Sequence, residues 1–394
     1  MILSERTRTI SVLGIVQIFA WGSSFYLLAV LAAPVEAETG WSAGLVSGGL
    51  SVGLLAAGLV SRRVGRVIQA QGGRRVLSTG MGLIALGLVI MALAQSEAVY
   101  LLAWLLTGIG MGAGLYDAAF STLGRIYGAG ARGAITALTL WGGFASTVCW
   151  PISAFLVEAL GWRGTCLAYA ALHLCVTLPL CWFALPRVPP ELAHRVGGGP
   201  EGGRPAHMDP RFWCMALTGI LLAVLSSLWM VHLMSILTSL GHSLAAAVSL
   251  GALIGPAQVG ARVVEMMGRG RHHPIWTLLV STGLILFGFA GLELGLPAAA
   301  ALIAFGGGNG LWSIARGALP LAVFGPEDYA RIMGQIAMPV LLASSAAPLA
   351  GAVLVARIGP EGTLGVLIAL SLAALAVSLT LYALIRRDRQ GVPG

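Results

Sequence analysis

Residues 98–124, AVYLLAWLLTGIGMGAGLYDAAFSTLG, and 297–323, PAAAALIAFGGGNGLWSIARGALPLAV, decide how this chain folds. Each is longer than the roughly 20 apolar residues that cross a bilayer core. Gly112-Ala113-Gly114-Leu115-Tyr116 in the first meets Gly308-Asn309-Gly310-Leu311-Trp312 in the second. A similar displacement, near 200 residues, lays Gly40-Trp41-Ser42 on Gly241-His242-Ser243, Ala131-Arg132 on Ala330-Arg331, and Pro151-Ile152-Ser153-Ala154 on Pro348-Leu349-Ala350-Gly351. Matches in the same order at nearly one offset are difficult to produce by chance, so the chain reads as two related halves. Parallel halves imply a pseudo-two-fold axis along the membrane normal, with a cavity between them near mid-bilayer, and suit alternating access.

Ten further apolar runs surround these two, near 10–35, 43–61, 76–95, 133–157, 164–185, 212–238, 244–267, 275–293, 332–356 and 362–385. The expectation is an all-α membrane protein of twelve transmembrane helices in two six-helix halves, residues 1–185 and 212–394. Residues 186–211, with Pro189-Pro190 and Gly197-Gly198-Gly199-Pro200, read as an exposed linker. Composition agrees: of 394 residues 57% are hydrophobic and 10% charged, where soluble domains carry about a quarter charged. The first run is too long for the apolar core of a signal peptide and reads as a helix. The 5 cysteines fall in or beside spans and read as small packing residues.

The 23 basic residues are all arginine. Without lysine there is no Walker A phosphate loop and no Schiff-base chemistry, so the chain is expected neither to hydrolyse ATP nor to carry a cofactor. Arginines gather at the N-terminus (Arg6, Arg8), between the second and third runs, in the linker and at the C-terminal tail, while the alternate connections hold Arg163 and Arg357 beside several acids. The positive-inside rule then puts both termini and the linker in the cytoplasm of a bacterial inner membrane. It also accounts for the net charge of +8 without nucleic acid.

The connection Gly65-Arg66-Val67-Ile68-Gln69-Ala70-Gln71-Gly72-Gly73-Arg74-Arg75 resembles the G-R-x-x-D-R-x-G-G-R-R loop of the major facilitator superfamily. The resemblance spans essentially the whole chain and implies a gating role for Gly65, Arg66, Gly73, Arg74 and Arg75. Gln69 and Ala70 stand where the family has Asp and Arg. Trp104 takes the arginine position of the R-x-x-x-G-x-G pattern in the fourth helix, and Cys149-Trp150-Pro151 replaces the antiporter Gly-Pro signature. Gly255-Pro256-Ala257-Gln258-Val259-Gly260-Ala261-Arg262 is similar to the D-x-x-x-R of the eighth helix in the bacterial monocarboxylate-transporter-like branch, with Gln258 for the acid.

Other motifs read blandly. Gly49-Leu50-Ser51-Val52-Gly53 matches the nucleophile-elbow pattern but lies within an apolar helix with no strand before it. Close helix packing is its better reading, as it is for Gly44-x-x-x-Gly48. Gly108, Gly110, Gly112 and Gly114 read as a thin helix face. His194, His207, His272 and His273 lie in loops with no partner set for a metal, whereas His232 interrupts the seventh run.

Ionisable groups inside apolar runs cost roughly 2.5–3.5 kcal/mol each at bilayer centre unless paired or wetted, so they are informative. Arg63, Arg262 and Arg316 are candidate substrate ligands, since guanidinium recognises carboxylate, although an i,i+3 pair with Glu265 is an alternative role for Arg262. Gln17, Tyr26, His232, Gln258 and Asn309 are further candidate ligands, and Asp117 is the candidate proton carrier. Arg62 reads as snorkelling to the surface. The expected function is secondary transport of a small organic anion resembling a monocarboxylate by a monomer in the bilayer, with protons as coupling ion. Efflux of an apolar or cationic compound, or a non-transporting membrane sensor, are the alternatives.

Overall fold

The structure, a computed structural model, describes residues 4–187, 206–268 and 270–389. Among them every regular element is helical. The central part of the expected linker, residues 188–205, and Arg269 lie outside the described residues. Among the described residues, nine apolar helical stretches are long enough to cross a membrane. One of them, residues 97–184, turns back at Gly128 and Gly161 and so makes three passages. The first run adds another, split into α1 (Glu5–Gly22) and α2 (Leu28–Thr39). The twelve-helix reading accommodates all of them.

Packing divides the chain into two compact units. The first holds the described residues up to 187 together with 325–345, and the second holds 206–324 and 346–389. In the first unit α3 (Ala43–Gln71), α4 (Gly73–Ala92), α5 (Glu97–Gly114), α6 (Tyr116–Tyr127), α7 (Ala131–Gly143) and α8 (Ala145–Leu172) follow α2. The second contains α9 (Pro210–Ser239), α10 (Leu244–Gly251), α11 (Ile254–Met267), α12 (Pro274–Glu293) and α13 (Ala298–Phe324). The last helix, α14 (Tyr329–Arg389), is bent at Gly359 and contributes to both units.

The sequence repeat has a structural cause in the turns. Gly40 and Gly241, matched by sequence, both have positive φ, and Ser42 and Ser243 two residues later accept hydrogen bonds from Leu45 N and Ala246 N. Each pair therefore stops one helix on a left-handed glycine and caps the next with a hydroxyl. Gly161 and Gly359 form a second such pair. There Thr165 Oγ1 and Thr363 Oγ1 reach back to the glycine carbonyl at 2.8 and 2.7 Å.

The glycine-rich centres are flattened on two sides. On α5, a Cβ at Gly108 or Gly112 would overlap Gly53 or crowd Ala57 of α3, while one at Gly110 or Gly114 would meet Gly80 and Ile84, or Met81, of α4. Residues four apart share a face, and residues two apart lie on nearly opposite faces. The alternate-glycine pattern thus places backbone against a neighbour on each side. The same device recurs on α13, where Gly306 and Gly310 lie on Ile254 and Gln258 of α11 and Gly308 lies on Ser281 of α12. The packing equates Gly108, Gly110 and Gly112 with Gly306, Gly308 and Gly310, two residues out of register with the sequence match. Glycine-rich stretches slide past one another in alignment because identical residues recur every second position.

Gly49 and Gly53 accommodate the Trp104 ring, which accounts for the elbow-like motif as packing, whereas Gly44 and Gly48 meet nothing. We predict that Gly108→Val yields no monodisperse folded protein, overpacking a tight contact being costly by at least about 1–3 kcal/mol. Gly48→Ala should leave the thermal midpoint of the purified protein unchanged or slightly higher, gaining up to about 1 kcal/mol of helix propensity. Size exclusion and a melting curve check both.

Candidate functional site

In the second unit, residues chosen from sequence converge. Arg262 is only 5% exposed, and its Nε donates to Gly310 O at 3.4 Å. Gln258 lies one turn before it on α11. Asn309, Ser313 and Arg316 share one face of α13 by their 4- and 3-residue spacing. Ser226 Oγ of α9 donates to Asn309 Oδ1 at 3.3 Å, and Ser313 Oγ donates to Gly310 O at 2.6 Å. The contact at Gly310 brings these groups together: α13 approaches Gln258 so closely that no side chain fits between. Glu265 Oε1 is engaged by Thr277 Oγ1 at 2.8 Å and lies 3.1 Å from His272 Nε2. His232 is placed elsewhere, with Nε2 buried against the backbone at Gly351 and without a hydrogen-bond partner among the described residues.

The first unit presents a different surface. Gln17 is fully buried, its Nε2 donating to Gly114 O at 2.7 Å while its Oε1 accepts from Trp21 Nε1 at 3.1 Å. Around Trp21 stand Phe25, Tyr26 and Tyr116, with ring centroids 5.4, 6.1 and 5.2 Å away, and Trp150, itself 41% exposed, meets Tyr26 at 6.2 Å. This aromatic wall is built where the first run breaks, at residues 23–27.

Asp117, which lies inside the fourth apolar run of the sequence, falls in the first turn of α6, because Leu115 adopts extended backbone and divides that run into two helices. An acid there faces the unpaired N–H groups of a helix start. The sequence reading passed over His173, though a histidine between leucines in an apolar run is the same signal as an embedded charge. It is fully buried, with Nε2 2.6 Å from Ser23 Oγ and Nδ1 2.8 Å from Thr177 Oγ1. Ser23 Oγ also donates to Phe19 O at 2.7 Å. His173 therefore ties the break in the first run to a π-helical segment, His173–Thr177, of the sixth.

The stretch read from sequence as a loop, residues 65–75, is helical except at Gly72, where α3 gives way to α4; Gly65, inside α3, packs on Ala330 and Gly334 of α14, and Gly73, the first residue of α4, on Thr122 of α6. The Arg74 guanidinium lies 5.2 Å from the Trp182 ring centroid. Arg66 and Arg75 are exposed. The Gln69 amide bridges the last turn of α3 to the start of α14, its Nε2 donating to Glu327 O and its Oε1 accepting from Ala330 N at 3.2 Å. Arg125 Nε donates to Gln69 O at 3.1 Å. Arg63, in the first unit, is exposed on α3, beside Arg62 and Arg66.

The family sequence model described as Major Facilitator Superfamily matches residues 13–338. The chain belongs to the major facilitator superfamily. It is a membrane transporter and not an enzyme. No curated protein matches the sequence at a significant level. Among solved structures, the human organic anion transporter MFSD10 (TETRAN) is similar, with a TM-score of 0.75 at 15% identity over 96% of this chain and 100% of that one. The proton:xylose symporter XylE, bound to 6-bromo-6-deoxy-D-glucose, gives 0.76 at 13% identity over 99% and 96%. The E. coli fucose:proton symporter FucP gives 0.70 at 13% over 94% and 98%. At these identities the likeness is one of fold.

Within this superfamily member two of the departures from the usual motifs, Trp104 and Gln69, have physical explanations. Trp104 fills the space that Gly49 and Gly53 leave, which no flexible arginine would do as densely. Gln69 uses both ends of its amide, and an aspartate has no donor for Glu327 O. We predict that Gln69→Glu, which keeps the length and the acceptor but sets a carboxylate against that carbonyl, lowers the thermal midpoint at neutral pH by the equivalent of about 1–3 kcal/mol. Acidification toward the ordinary glutamate range, about 4.3, restores the donor, so the deficit relative to wild type should shrink as pH falls. A deficit independent of pH would contradict the bridge.

Proposed function

We propose that this transporter carries a small organic anion, of the monocarboxylate kind, across a bacterial inner membrane by alternating access. The observation that carries the reading is the buried Arg262 guanidinium, one turn after Gln258 on α11 and bonded to Gly310 O of the helix that also carries Asn309, Ser313 and Arg316, in the second unit. A guanidinium is costly to place within an apolar bundle, and a carboxylate is the partner its fork of donors fits best. In this reading residues 1–185 and 212–394 are the two moving halves, 186–211 the cytoplasmic linker, and both termini are cytoplasmic. The protein works as a monomer. Gly65, Arg66, Gly73, Arg74 and Arg75 gate the cytoplasmic side, and Tyr26, beside the Trp21 ring that Gln17 fixes, holds the apolar part of the solute.

Ligand-induced shifts in thermal midpoint across carboxylates, sugars, cations and apolar drugs test the class. Arg262→Gln should weaken the anionic solute by about ten- to a hundred-fold, the equivalent of roughly 1.5–3 kcal/mol for a lost charge-assisted bond. Arg262→Lys should recover only part, since a point charge lacks the bidentate fork. Normal anion binding by Arg262→Gln would refute the anion reading.

Proton coupling is assigned to Asp117. Asp117→Asn should abolish proton-driven accumulation in vesicles while leaving counterflow exchange largely intact, and unchanged accumulation would leave Asp117 a structural role. One observation favours the second reading, export of an apolar or cationic compound: the aromatic wall of Trp21, Phe25, Tyr26 and Trp150 offers ring faces that attract cations. A solute screen in which only cations shift the midpoint would select it.

A further inference from the structure

The basic end of α3 carries a feature that the solute-binding groups leave unused. A cleft of about 530 Å3 is lined by Leu59, Arg62, Arg63 and Arg66 of α3 with Gln335 and Met338 of α14. The four α3 positions follow the i, i+3, i+4, i+7 spacing of one helix face. The bottom of the groove is backbone, because Gly65 and Gly334 let the two helices touch. Its walls are therefore side chains standing clear of a close crossing.

Three guanidinium groups line this groove with no acid among the lining residues. Arg62, Arg63 and Arg66 are all exposed, and none makes a hydrogen bond or ion pair among the described residues. Asp328, near the start of α14, pairs with Arg331 at 3.0 Å. Three like charges within two helical turns repel one another, and the arrangement becomes favourable when an anion sits between them.

The apolar side of the same helix identifies the anion's source. Leu55 and Leu59, 43% and 62% exposed, lie in line with Arg62 and Arg66 along α3, at spacings of four, three and four residues. This stripe runs from exposed leucine, on a helix apolar enough to cross a membrane, to unpaired arginine. A free phosphate would have no use for the leucines, whereas a lipid would lay its chain along them and its headgroup among the arginines.

We propose that this groove binds an anionic glycerophospholipid, with the phosphodiester held by Arg62, Arg63 and Arg66 and an acyl chain along Leu59 and Leu55. The bound lipid would clasp α3 to the first part of α14. The site shares Arg66 with the proposed gate but none of the proposed solute ligands, so lipid binding and solute recognition can each fail alone.

Purified full-length protein in detergent is titrated with phosphatidylglycerol or phosphatidylcholine of matched chains, and retained lipid is counted by native mass spectrometry. Selective retention of phosphatidylglycerol, with a higher thermal midpoint, is expected. The triple variant Arg62→Gln, Arg63→Gln, Arg66→Gln should bind it on the order of a hundredfold more weakly, and each single variant about fivefold. Should the triple variant lose its fold, a photoactivatable phosphatidylglycerol on the wild type is expected to crosslink within 55–66 or 335–338. Equal retention of the two lipids, wild-type retention by a folded triple variant, or crosslinks confined elsewhere would overturn the proposal. So would displacement of the lipid by glycerol 3-phosphate at equal concentration, which would mark a site for a small soluble anion.

Discussion

Helices immersed in lipid gain nothing from burying apolar side chains against one another rather than against acyl tails, so close backbone contact has to supply the cohesion. In this chain that contact is made by α5 and α13, each stripped of side chains on two faces. Each becomes the middle layer of a three-helix stack, α3–α5–α4 and α11–α13–α12. Once two faces are spent on contact, any functional side chain on the middle helix must project from what remains. That is where Asn309, Ser313 and Arg316 are found, between and beyond the glycines.

The two units share this skeleton and differ in what they hang on it. The first surrounds Gln17 with rings and keeps Asp117 at a helix start, whereas the second gathers guanidinium and amide groups around Gly310. Duplication explains the common turns and glycine layers, which are set by backbone geometry and tolerate little change. Side chains lining open space are under no such constraint, and there the halves have diverged furthest.

Much of the fold was legible because its determinants are local. Run length marked the spans, and glycine spacing marked where they touch. The breaks at residues 23–27 and at Leu115 were not legible: each follows a glycine, Gly22 or Gly114, but glycine recurs elsewhere in both runs without breaking the helix. The break at Leu115 moved Asp117 from an apparent mid-helix position to a helix start. The convergence of Gln258 and Arg262 with Asn309 was readable as a set of polar interruptions, but their meeting depends on the α11–α13 contact at Gly310. The exact register of the repeat was hidden by the glycine periodicity itself. Gln69 read as a defect in a charged motif because the sequence shows a missing carboxylate and gives no sign of the two backbone partners waiting for an amide.

That amide sets how the junction between α3 and α14 responds to its surroundings. A bridge made by a carboxylate weakens when dissolved ions screen it and again when acid neutralises it. The Gln69 side chain bears no net charge and has nothing to titrate, and it is held by main-chain atoms that are equally indifferent to electrolyte. A transporter latched this way would keep the same bias toward its latched form in brine and in dilute medium, at neutral and at mildly acidic pH. Any environmental tuning of the transport cycle would then have to enter through other groups, and the latch would act as a fixed offset against which they work.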